Sequence, residues 1–281
     1  MSVEWNVRSK TGAGGRAPIE IRELQDTAAL RAAQALEKEV WDSSDRDLVP
    51  VVLLIAEREV GAILLGAYEG NVMAGFCYGF PGREHGESVI HSHVLGVKKE
   101  FRDRNIGYLL KAYQRERALQ TGFPFITWTF DPLQSRNAFL NLEKLGAAAT
   151  SYKIDFYGHG MDSPLHAGGT DRLWIVWDLD SERVRRRMES GADPVAFPDV
   201  EPLVSVGTSG EPLRGAIPDW ASAQHALIGI PNSIDAIRAA EPNLAARWRE
   251  DTRWAFTTAF EAGMRVTGFQ NGFYVLSRFL R

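Results

Sequence analysis

The sequence predicts an α/β fold (α+β in some schemes), with a mixed sheet flanked by helices and a smaller C-terminal α+β extension. Strand-like and helix-like segments alternate from residue 19 to residue 180. Within this part, a strand leads through a short basic loop directly into a helix at residues 89–122. After residue 180 the pattern changes to a charged segment and a Gly/Pro-rich connector. We therefore expect a flexible N-terminus at 1–17, an α/β domain at 18–180 and the extension at 181–281.

Composition places the chain among ordinary globular proteins. Its 281 residues are 44% hydrophobic and 24% charged, which allows a substantial core. The formal net charge of −4 argues against a dedicated nucleic-acid or membrane binder. Cys77 is the single cysteine, so we expect no intramolecular disulfide and a reducing compartment. No apolar run approaches the roughly 20 residues that span a bilayer. The first residues also lack the apolar core of a signal peptide, so we expect a cytoplasmic protein.

The elements of the first part follow from periodicity and turn signals. Runs rich in β-branched and apolar residues predict strands at 19–24, 62–68, 72–80, 89–97, 124–130, 152–157 and 173–179. Helical spacing predicts helices at 27–41, 106–120 and 135–145, the first capped by Asp26 and the last ended by Gly146. The apolar run at 49–59 is typical of either a short helix or a buried strand, and its pattern does not decide.

The extension has a different character. Residues 181–190 are charged, and a connector rich in glycine and proline follows to about residue 218. We expect strands at 226–229, 264–269 and 273–279 and helices at 233–240 and 243–262. The sequence leaves open whether this part forms a lid, a homodimer contact or part of the acceptor site.

The stretch at 89–122 predicts an anion site. It begins as a strand, continues as a basic loop at 98–105 and ends as an amphipathic helix. Unpaired backbone N–H groups and the helix dipole both favour an anion at a helix N-terminus. We therefore predict a phosphate or pyrophosphate around residues 102–108.

The loop is neither a Walker A loop nor Gly-x-Gly-x-x-Gly. Its sequence, Arg102-Asp103-Arg104-Asn105-Ile106-Gly107, resembles the acyl-CoA pyrophosphate loop of the GNAT N-acyltransferase superfamily, Arg/Gln-x-x-Gly-x-Gly/Ala. It departs from that pattern at Asn105, a residue type that tolerates a left-handed backbone. The resemblance implies a GNAT-like sheet and binding of acyl-CoA (acetyl-CoA or succinyl-CoA). The implied cofactor-binding residues are Leu95, Gly96, Val97, Arg102, Asp103, Arg104, Asn105, Ile106, Gly107, Tyr108 and Asn137.

His91 and His93 lie on the strand that enters this loop. Side chains at i and i+2 share a sheet face, so both imidazoles should project together. An ordinary histidine pKa near 6.5 suits removal of a proton from an amine. The pattern His91-x-His93-x-Leu95-x-Val97 is similar to that of the aralkylamine N-acetyltransferases in the GNAT superfamily, where a histidine pair acts as base through water. We expect both histidines to be catalytic; the alternative is two polar residues on a half-exposed strand.

The same His-x-His spacing could hold zinc or iron, which requires a third ligand. The candidates for that ligand are His85, Asp131, His159 and His166. None of them lies at a recognisable metal-site spacing, so we expect no metal.

Four further residues are predicted to bind substrate: Trp128, Asp131, Tyr157 and Arg172. Trp128 and Asp131 end the strand after the phosphate-loop helix, and ligands of open α/β sheets lie at the carboxyl ends of strands. Asp131 would hold a substrate ammonium or orient a histidine, unless it is a simple turn residue. Arg172 would grip a carboxylate, unless it forms a structural pair with Asp171.

The GNAT resemblance also implies roles on the helix at 135–145. GNAT members often carry an asparagine there that contacts pantetheine, which corresponds to Asn137. They commonly carry a tyrosine that protonates the leaving thiolate, and that position is Leu142 here. Tyr152 or Tyr157 could take its place, or the thiolate needs no acid.

A larger set of residues resembles one bacterial GNAT subfamily with a C-terminal extension. The set comprises His91-Ser92-His93, Leu110-Lys111, Gln114-Arg115, Trp128 to Leu133, Asn137, Asn141, Lys144 to Ala147, Tyr157-Gly158 and Asp171 to Leu173. Some members are described as succinyl-CoA-dependent D-amino-acid N-succinyltransferases. The resemblance implies acyl transfer from acyl-CoA to a small-molecule amine. From charge and composition we expect no nucleic-acid or membrane partner, and a homodimer is possible. A non-enzymatic acyl-CoA sensor with the same fold is the alternative.

Overall fold

The structure, a computed structural model, describes residues 17–158, 168–191 and 197–278. The described chain falls into two compact units, one of residues 17–127 and one of residues 128–158, 168–191 and 197–278. The N-terminus predicted to be flexible lies outside the described residues, apart from Ala17. The predicted boundary at 180/181 stays a prediction.

The first unit is built on five strands and three helices. Its strands are β1 (Ile19–Glu23), β2 (Ile63–Glu69), β3 (Val72–Glu84), β4 (Glu87–Val97) and the first half of β5 (Phe125–Phe130). Its helices are α1 (Thr27–Trp41), α2 (Val51–Glu59) and α3 (Ile106–Gln120). The strands lie in the order β1-β2-β3-β4-β5; β1 to β4 pair antiparallel, and β5 pairs parallel with β4. The predicted α/β fold with a mixed sheet flanked by helices is confirmed.

β3 shows why helices cover both faces of this sheet. Successive side chains of a strand point to opposite faces. Phe76 and Tyr78 belong to a buried apolar cluster with Leu30 of α1, so α1 covers their face. A Cβ on Gly75 would lie 3.3 Å from the side chain of Ile106 in α3, so α3 covers the opposite face.

The start of α1 and the identity of α2 follow from local signals. The Asp26 carboxylate accepts the N–H of Ala29 at 2.8 Å and caps α1, as predicted. The run at 49–59, which the sequence left open, is helical and follows Pro50. Its Leu54 packs into the same buried cluster as α1.

The second unit carries the remaining strands in the order β7-β6-β11-β12-β10-β8-β9. These strands are β6 (Ala148–Lys153), β7 (Arg172–Asp178), β8 (Val204–Val206), β9 (Pro212–Arg214), β10 (His225–Gly229), β11 (Met264–Gln270) and β12 (Phe273–Arg278). The helices are α4 (Ser135–Ala138), continued by a π-helical turn (Phe139–Lys144), α5 (Glu182–Ser190), α6 (Ile234–Ala240) and α7 (Pro242–Glu261). The β8–β10 pair is parallel and the others for which a register is given are antiparallel, so the strand pairing in this unit is mixed as well.

The strand predicted at 152–157 is wrong in its position. β6 ends at Lys153, and the chain turns at 154–157. Asp155 has a φ of 45°, and its N–H donates to the carboxylate of Asp171 at 3.0 Å. That hydrogen bond stabilises a turn where an extended strand was expected.

The helix predicted at 135–145 changes its winding. The N–H of Leu145 donates to the carbonyl of Leu140, five residues back, at 3.0 Å. This wider turn is a π-helical turn, a form that often occurs at functional sites. The helix ends before Gly146, whose φ of 72° suits a glycine.

The sequence missed β8 and β9 in the connector. Strands of three residues carry too little alternation to be recognised from their pattern. Among the described helices, none is long and apolar enough to cross a membrane. The cytoplasmic location stays a prediction.

Candidate functional site

The loop between β4 and α3 has the backbone of an anion site. A short 3-10 turn, Lys99–Phe101, is followed by Asp103 and Asn105 with φ of 62° and 60°. Asn105 therefore adopts the left-handed conformation that its identity permits, and α3 begins at the next residue. No side chain caps this N-terminus. Side chains cap α1, α5 and α6, through Asp26, Ser181 and Ser233, whereas α2, α4 and α7 also have no side-chain cap hydrogen bond.

An uncapped helix start leaves the first-turn N–H groups without intrahelical acceptors. In α3 these groups belong to Ile106, Gly107 and Tyr108, and they combine with the positive end of the helix dipole. Residues 98–105 add four basic and two acidic side chains. The loop therefore presents backbone donors and positive charge together, which fits a phosphate or pyrophosphate.

The two arginines of the loop are placed differently. Arg102 is exposed, and its Nε donates to the carbonyl of Val97 at 3.4 Å. Arg104 turns to β2, where its Nη2 lies 2.7 Å from a carboxylate oxygen of Glu69. Arg102 is therefore the side chain better placed to reach a phosphate, because the Arg104 guanidinium is held at Glu69.

The end of β4 presents backbone groups away from β3. Lys98 donates its N–H to the carbonyl of Ala74 at 2.9 Å. Alternation in an antiparallel ladder then turns the N–H groups of Leu95 and Val97 to the other side. In the described chain the pairing of β4 with β5 covers Val89–His91. Leu95 and Val97 are among the residues that the GNAT resemblance implies for acyl-CoA binding.

Gly96 allows a close helix contact. A Cβ at this position would lie 2.9 Å from Cη2 of Trp41 and 3.2 Å from Cε1 of Phe76. The missing side chain therefore lets α1 pack tightly on β4. A contact of Gly96 with acyl-CoA stays a prediction.

A β-bulge places the two histidines. The register of β3 with β4 passes from Tyr78↔Val94 to Gly79↔Ser92, so His93 is the extra residue. Both rings nevertheless lie on the same side of the sheet as the Phe80 ring. Their centroids are 5.5 Å (His91) and 6.1 Å (His93) from its centroid. The two imidazoles project together, as the sequence predicted, but the bulge as well as strand alternation sets their positions.

Thr127 orients the ring of His91. It pairs with His91 across β4 and β5, and its Oγ1 lies 3.0 Å from Nδ1. With the proton on Nδ1, the ring donates to Thr127 and leaves Nε2 as the basic nitrogen. Thr127 is buried, so the ring is held by a fixed partner.

The pKa of each histidine is lower than the ordinary value near 6.5 that the sequence-based prediction assumed. Burial, His93 and Lys111 together lower the pKa of His91 to about 4. Burial also lowers the pKa of His93, although that ring is the more exposed to solvent. Each imidazole is therefore neutral at pH 7 and able to accept a proton, but as a weaker base than an ordinary histidine.

The predicted substrate-binding residues and Asn137 all lie in the second unit. Trp128 is buried and packs edge-on against Trp177, with centroids 5.9 Å apart. Asn137 is exposed on α4. The histidines and the phosphate-loop residues, by contrast, belong to the first unit.

Asp131 has protein partners for both carboxylate oxygens. Arg249 of α7 donates Nη1 to Oδ1 and Nη2 to Oδ2, each at 2.8 Å. Oδ1 also accepts the N–H of Leu133 at 3.0 Å. This arrangement favours a structural role for Asp131, which was the alternative to binding a substrate ammonium.

Arg172 and Tyr157 lie together. The guanidinium carbon of Arg172 is 5.2 Å from the centroid of the Tyr157 ring, and Nη1 donates to the carbonyl of Asp171 at 2.8 Å. The Asp171 carboxylate binds Arg253 through two hydrogen bonds of 2.8 Å. Asp171, which the sequence offered as a structural partner of Arg172, therefore binds the side chain of Arg253.

Two tyrosines were possible acids for the leaving thiolate. The hydroxyl of Tyr152 donates to Asp171 at 2.6 Å, and burial together with that carboxylate raises its pKa. Tyr152 is therefore a poor proton donor. The hydroxyl of Tyr157 lies 3.4 Å from Thr129 Oγ1. Leu142 is fully buried in the π-helical turn, so no acid stands at that position.

Among the described residues, no three His, Cys, Asp or Glu side chains are grouped to hold a metal ion. His85 lies in the β3–β4 turn with a φ of 50°. The candidate ligands His159 and His166 lie outside the described residues.

Several residues with evident roles were not predicted: Phe80, Lys111, Thr127 and Arg249. Thr127 could have been found from its place on the strand next to the histidines. The partnership of Arg249 with Asp131 joins residues 118 positions apart, and no local pattern signals it.

No protein-family model matches the chain, and no curated protein matches its sequence. Among solved structures, the chain is similar to a GNAT family acetyltransferase from Elizabethkingia anophelis with acetyl-CoA bound, at 16% identity and a TM-score of 0.45 over 57% of this chain and 97% of that one. It is similar to an acetyltransferase of the GNAT family from Streptococcus pneumoniae, at 15% identity and a TM-score of 0.46 over 56% of this chain and 98% of that one. It is also similar to the ribosomal-protein-S18-alanine N-acetyltransferase from Escherichia coli, at 13% identity and a TM-score of 0.44 over 57% and 94%. At these identities and scores, the likeness carries no argument about activity.

Proposed function

We propose that this protein is an N-acyltransferase of the GNAT type, which moves an acyl group from acyl-CoA to the amine of a small molecule. The observation that carries the proposal is the uncapped N-terminus of α3, preceded by Asn105 in the left-handed conformation. A helix start whose first-turn N–H groups lack intrahelical acceptors, together with a basic loop, is suited to the pyrophosphate of CoA. The GNAT-like sequence of the loop supports the same ligand.

The proposed chemistry uses the end of β4. The amine nitrogen attacks the thioester carbon; an N–C bond forms and the C–S bond breaks. The N–H groups of Leu95 and Val97 would stabilise the oxygen as negative charge develops. His91, its ring held by Thr127 at 3.0 Å, would accept the proton of the acceptor ammonium through water, assisted by His93.

The thiolate of CoA takes up a proton at the end of the reaction. Leu142 supplies none, and Tyr152 is held by Asp171. We therefore assign Tyr157 as the candidate acid, with direct protonation by solvent as the alternative.

The acceptor is proposed to be an amino acid and the acyl group acetyl or succinyl. The resemblance to the D-amino-acid N-succinyltransferases supports this class. Arg172 is the proposed carboxylate-binding residue, since a guanidinium stacked on Tyr157 presents a planar set of donors. A cytoplasmic location and a homodimer belong to the same proposal.

A second candidate is a protein that binds acyl-CoA without turnover. The buried Leu142 at the position of the usual acid favours it. The low pKa of His91, about 4, also weakens the base that an enzyme would use. The orientation of His91 by Thr127 favours the enzyme, which remains our first proposal.

The proposal is tested by release of the free CoA thiol. Acetyl-CoA and succinyl-CoA are offered with amino acids of both configurations and with the corresponding amines that lack the carboxylate. Thiol release should depend on the acceptor. Arg172→Met should raise KM for the amino acid about 10- to 100-fold, because a hydrogen bond between charged groups is lost. KM for the carboxylate-free amine should stay unchanged. Arg186→Met, an exposed arginine of α5, is the control. Binding of acyl-CoA without thiol release for any acceptor would favour the second candidate.

A further inference from the structure

A buried polar cluster lies on the face of β4 opposite the histidines. Lys111 of α3 is only 4% exposed. Its Nζ donates to Ser92 Oγ at 2.6 Å and to Gln114 Oε1 at 3.2 Å. Ser92 Oγ also lies 3.8 Å from the buried Sγ of Cys77 on β3.

The neighbouring strand leaves room for this cluster. A Cβ on Gly79 would lie 2.9 Å from Nε2 of Gln114 and 3.0 Å from the carbonyl oxygen of His91. The glycine therefore admits the Gln114 amide against the strands. Gln114 is fully buried, and in the described chain its Nε2 has no hydrogen-bond partner.

Such a cluster is costly as a means of packing α3 on the sheet. An unsatisfied buried donor costs about 1–3 kcal/mol, and a buried ammonium also loses its hydration. Apolar side chains would fill the same space at lower cost. A role at the site is a better explanation for the cluster than stability.

The cluster contacts β4 at the bulge. Ser92 lies between the two histidines in sequence, and the register shifts between Tyr78 and Gly79 of β3 directly opposite. Lys111 donates its hydrogen bond to Ser92, the residue between the two histidines, whose side chain points to α3. A change in this hydrogen bond therefore acts on the backbone that carries both imidazoles.

We propose that Lys111 is a positioning residue of the acyl-transfer site: by holding Ser92 it maintains the β4 bulge, and it keeps a positive charge behind the histidine pair. This inference rests on the proposed function for its catalytic meaning. Its structural content, a coupling between Lys111 and His91, stands without that function.

The electrostatics of the site support the coupling. Lys111 contributes to the lowered pKa of His91, after burial and His93. Burial lowers the pKa of Lys111 itself to about 8, so its charge is present at neutral pH. On the elements that pack against β4, the titratable side chains are Arg31, Glu37, Lys38 and Glu39 on α1, Cys77, Tyr78, Arg83 and Glu84 on β3, and Tyr108, Lys111, Tyr113, Arg115, Glu116 and Arg117 on α3. Of these, Lys111 is the one that acts on His91.

Three variants separate the charge from the hydrogen bond. Lys111→Gln removes the charge, while its amide is still able to donate toward Ser92. Ser92→Ala removes the hydrogen bond and keeps the charge. Arg117→Met is the control, because it removes a charge from a half-buried position of the same helix, where the side chain is 36% exposed and pairs with Glu23.

The first measurement is an NMR titration of the His91 imidazole in each full-length protein, which requires no substrate. Loss of a nearby positive charge favours the imidazolium, so Lys111→Gln should raise the midpoint of His91 toward the ordinary value near 6.5. The acid limb of kcat/KM should move in the same direction. Ser92→Ala should leave the midpoint near that of the wild type. Arg117→Met should change nothing.

The second measurement is turnover. Ser92→Ala should lower kcat by up to about 100-fold, the scale of a small misplacement of catalytic groups, without loss of acyl-CoA affinity. An unmoved His91 midpoint in folded Lys111→Gln overturns the proposed charge effect, and an unchanged kcat in Ser92→Ala overturns the positioning role. If Lys111→Gln does not fold, the kcat of Ser92→Ala alone tests the positioning role. Absence of turnover in the wild type would reject the proposed function and leave the titration result standing.

Discussion

Arg249 binds Asp131 through two parallel hydrogen bonds of 2.8 Å, which join the long helix α7 to the segment that follows β5. Both side chains are largely buried, at 8% and 14% exposure. Burial opposes the charge of Arg249, but Asp131 outweighs it and raises the arginine's pKa. The sequence placed these two residues in different domains, and the structure places both in its second unit. Part of the predicted extension therefore stabilises the residue that the sequence had assigned to substrate.

Arg249→Ala should strongly destabilise the fold, because it leaves the Asp131 carboxylate buried without its main partner. The expected loss in the free energy of unfolding is about 3–5 kcal/mol, measured by urea denaturation. The double variant Arg249→Ala with Asp131→Ala should recover part of that loss. The matched control is Arg185→Ala, which breaks the exposed pair with Asp180 at 54% and 63% exposure and should leave the free energy of unfolding nearly unchanged, because exposed ion pairs contribute little to stability. Equal effects of the two arginine variants would contradict this account.

The backbone conformation of Asn105 should determine the affinity for acyl-CoA. Asn105→Gly keeps the left-handed conformation without strain and should bind acyl-CoA at least as well as the wild type. Asn105→Ala should weaken binding by about 1–2 kcal/mol, or roughly 5- to 30-fold in Kd, by calorimetry. Asn271→Ala tests the same change in the turn between β11 and β12, where φ is 54°, and should leave affinity for acyl-CoA unchanged. Equal loss of affinity in Asn105→Gly and Asn105→Ala would show that the side chain, and not the backbone, binds the ligand.

The histidine pair separates the enzyme from the sensor. Replacing His91 and His93 by alanine should lower kcat by about 10²- to 10⁴-fold, the usual contribution of general base catalysis. Acyl-CoA affinity should stay unchanged, because the loop at 98–108 is intact. His225→Ala, which removes an exposed histidine of β10, is the control. Turnover that survives the double replacement would exclude both residues as the base.

Glu37 should make stability depend on pH. Burial raises the pKa of this α1 carboxyl to about 7, against a weaker opposing effect of its hydrogen bond from Val49. The folded state therefore binds more protons than the unfolded state between about pH 4.5 and 7, and its stability falls as pH rises through that window. Glu37→Gln stays neutral and can still accept from Val49. Urea denaturation should show no gain for the variant at pH 4.5 and a gain on the order of 1–3 kcal/mol at pH 8. A gain of the same size at both pH values would contradict the buried-carboxyl explanation.

Local patterns predicted the fold class well, since each element has its own signal. Asp26 caps α1, and residues 106–120 show helical spacing that α3 reproduces. The predictions failed where contacts between residues distant in the chain determine the end of an element. The hydrogen bond from Asp155 to Asp171 ends β6 early, and that contact spans 16 positions.

The candidate site also has features that the sequence could predict and features that it could not. The strand–loop–helix geometry of β4 and α3 could be predicted, because these elements follow one another in the chain. The surroundings of the histidines could not: the bulge at His93 depends on the β3 register, and Thr127 comes from another strand. The lowered pKa of His91 follows from burial, from His93 and from Lys111 on α3, and no pattern in the chain reveals the burial or the place of Lys111.

The most direct test of the central claim is thermal stabilisation by CoA, acetyl-CoA and succinyl-CoA, with pantetheine as the probe that lacks the pyrophosphate. A ligand present at about 100 times its Kd adds about 2.7 kcal/mol to the free energy of unfolding. We expect a clear rise in Tm with the three CoA compounds and little or none with pantetheine. A larger rise with succinyl-CoA than with acetyl-CoA would support the succinyl donor. If none of the three CoA compounds raises Tm, the loop between β4 and α3 does not bind acyl-CoA, and the proposed acyltransferase is wrong.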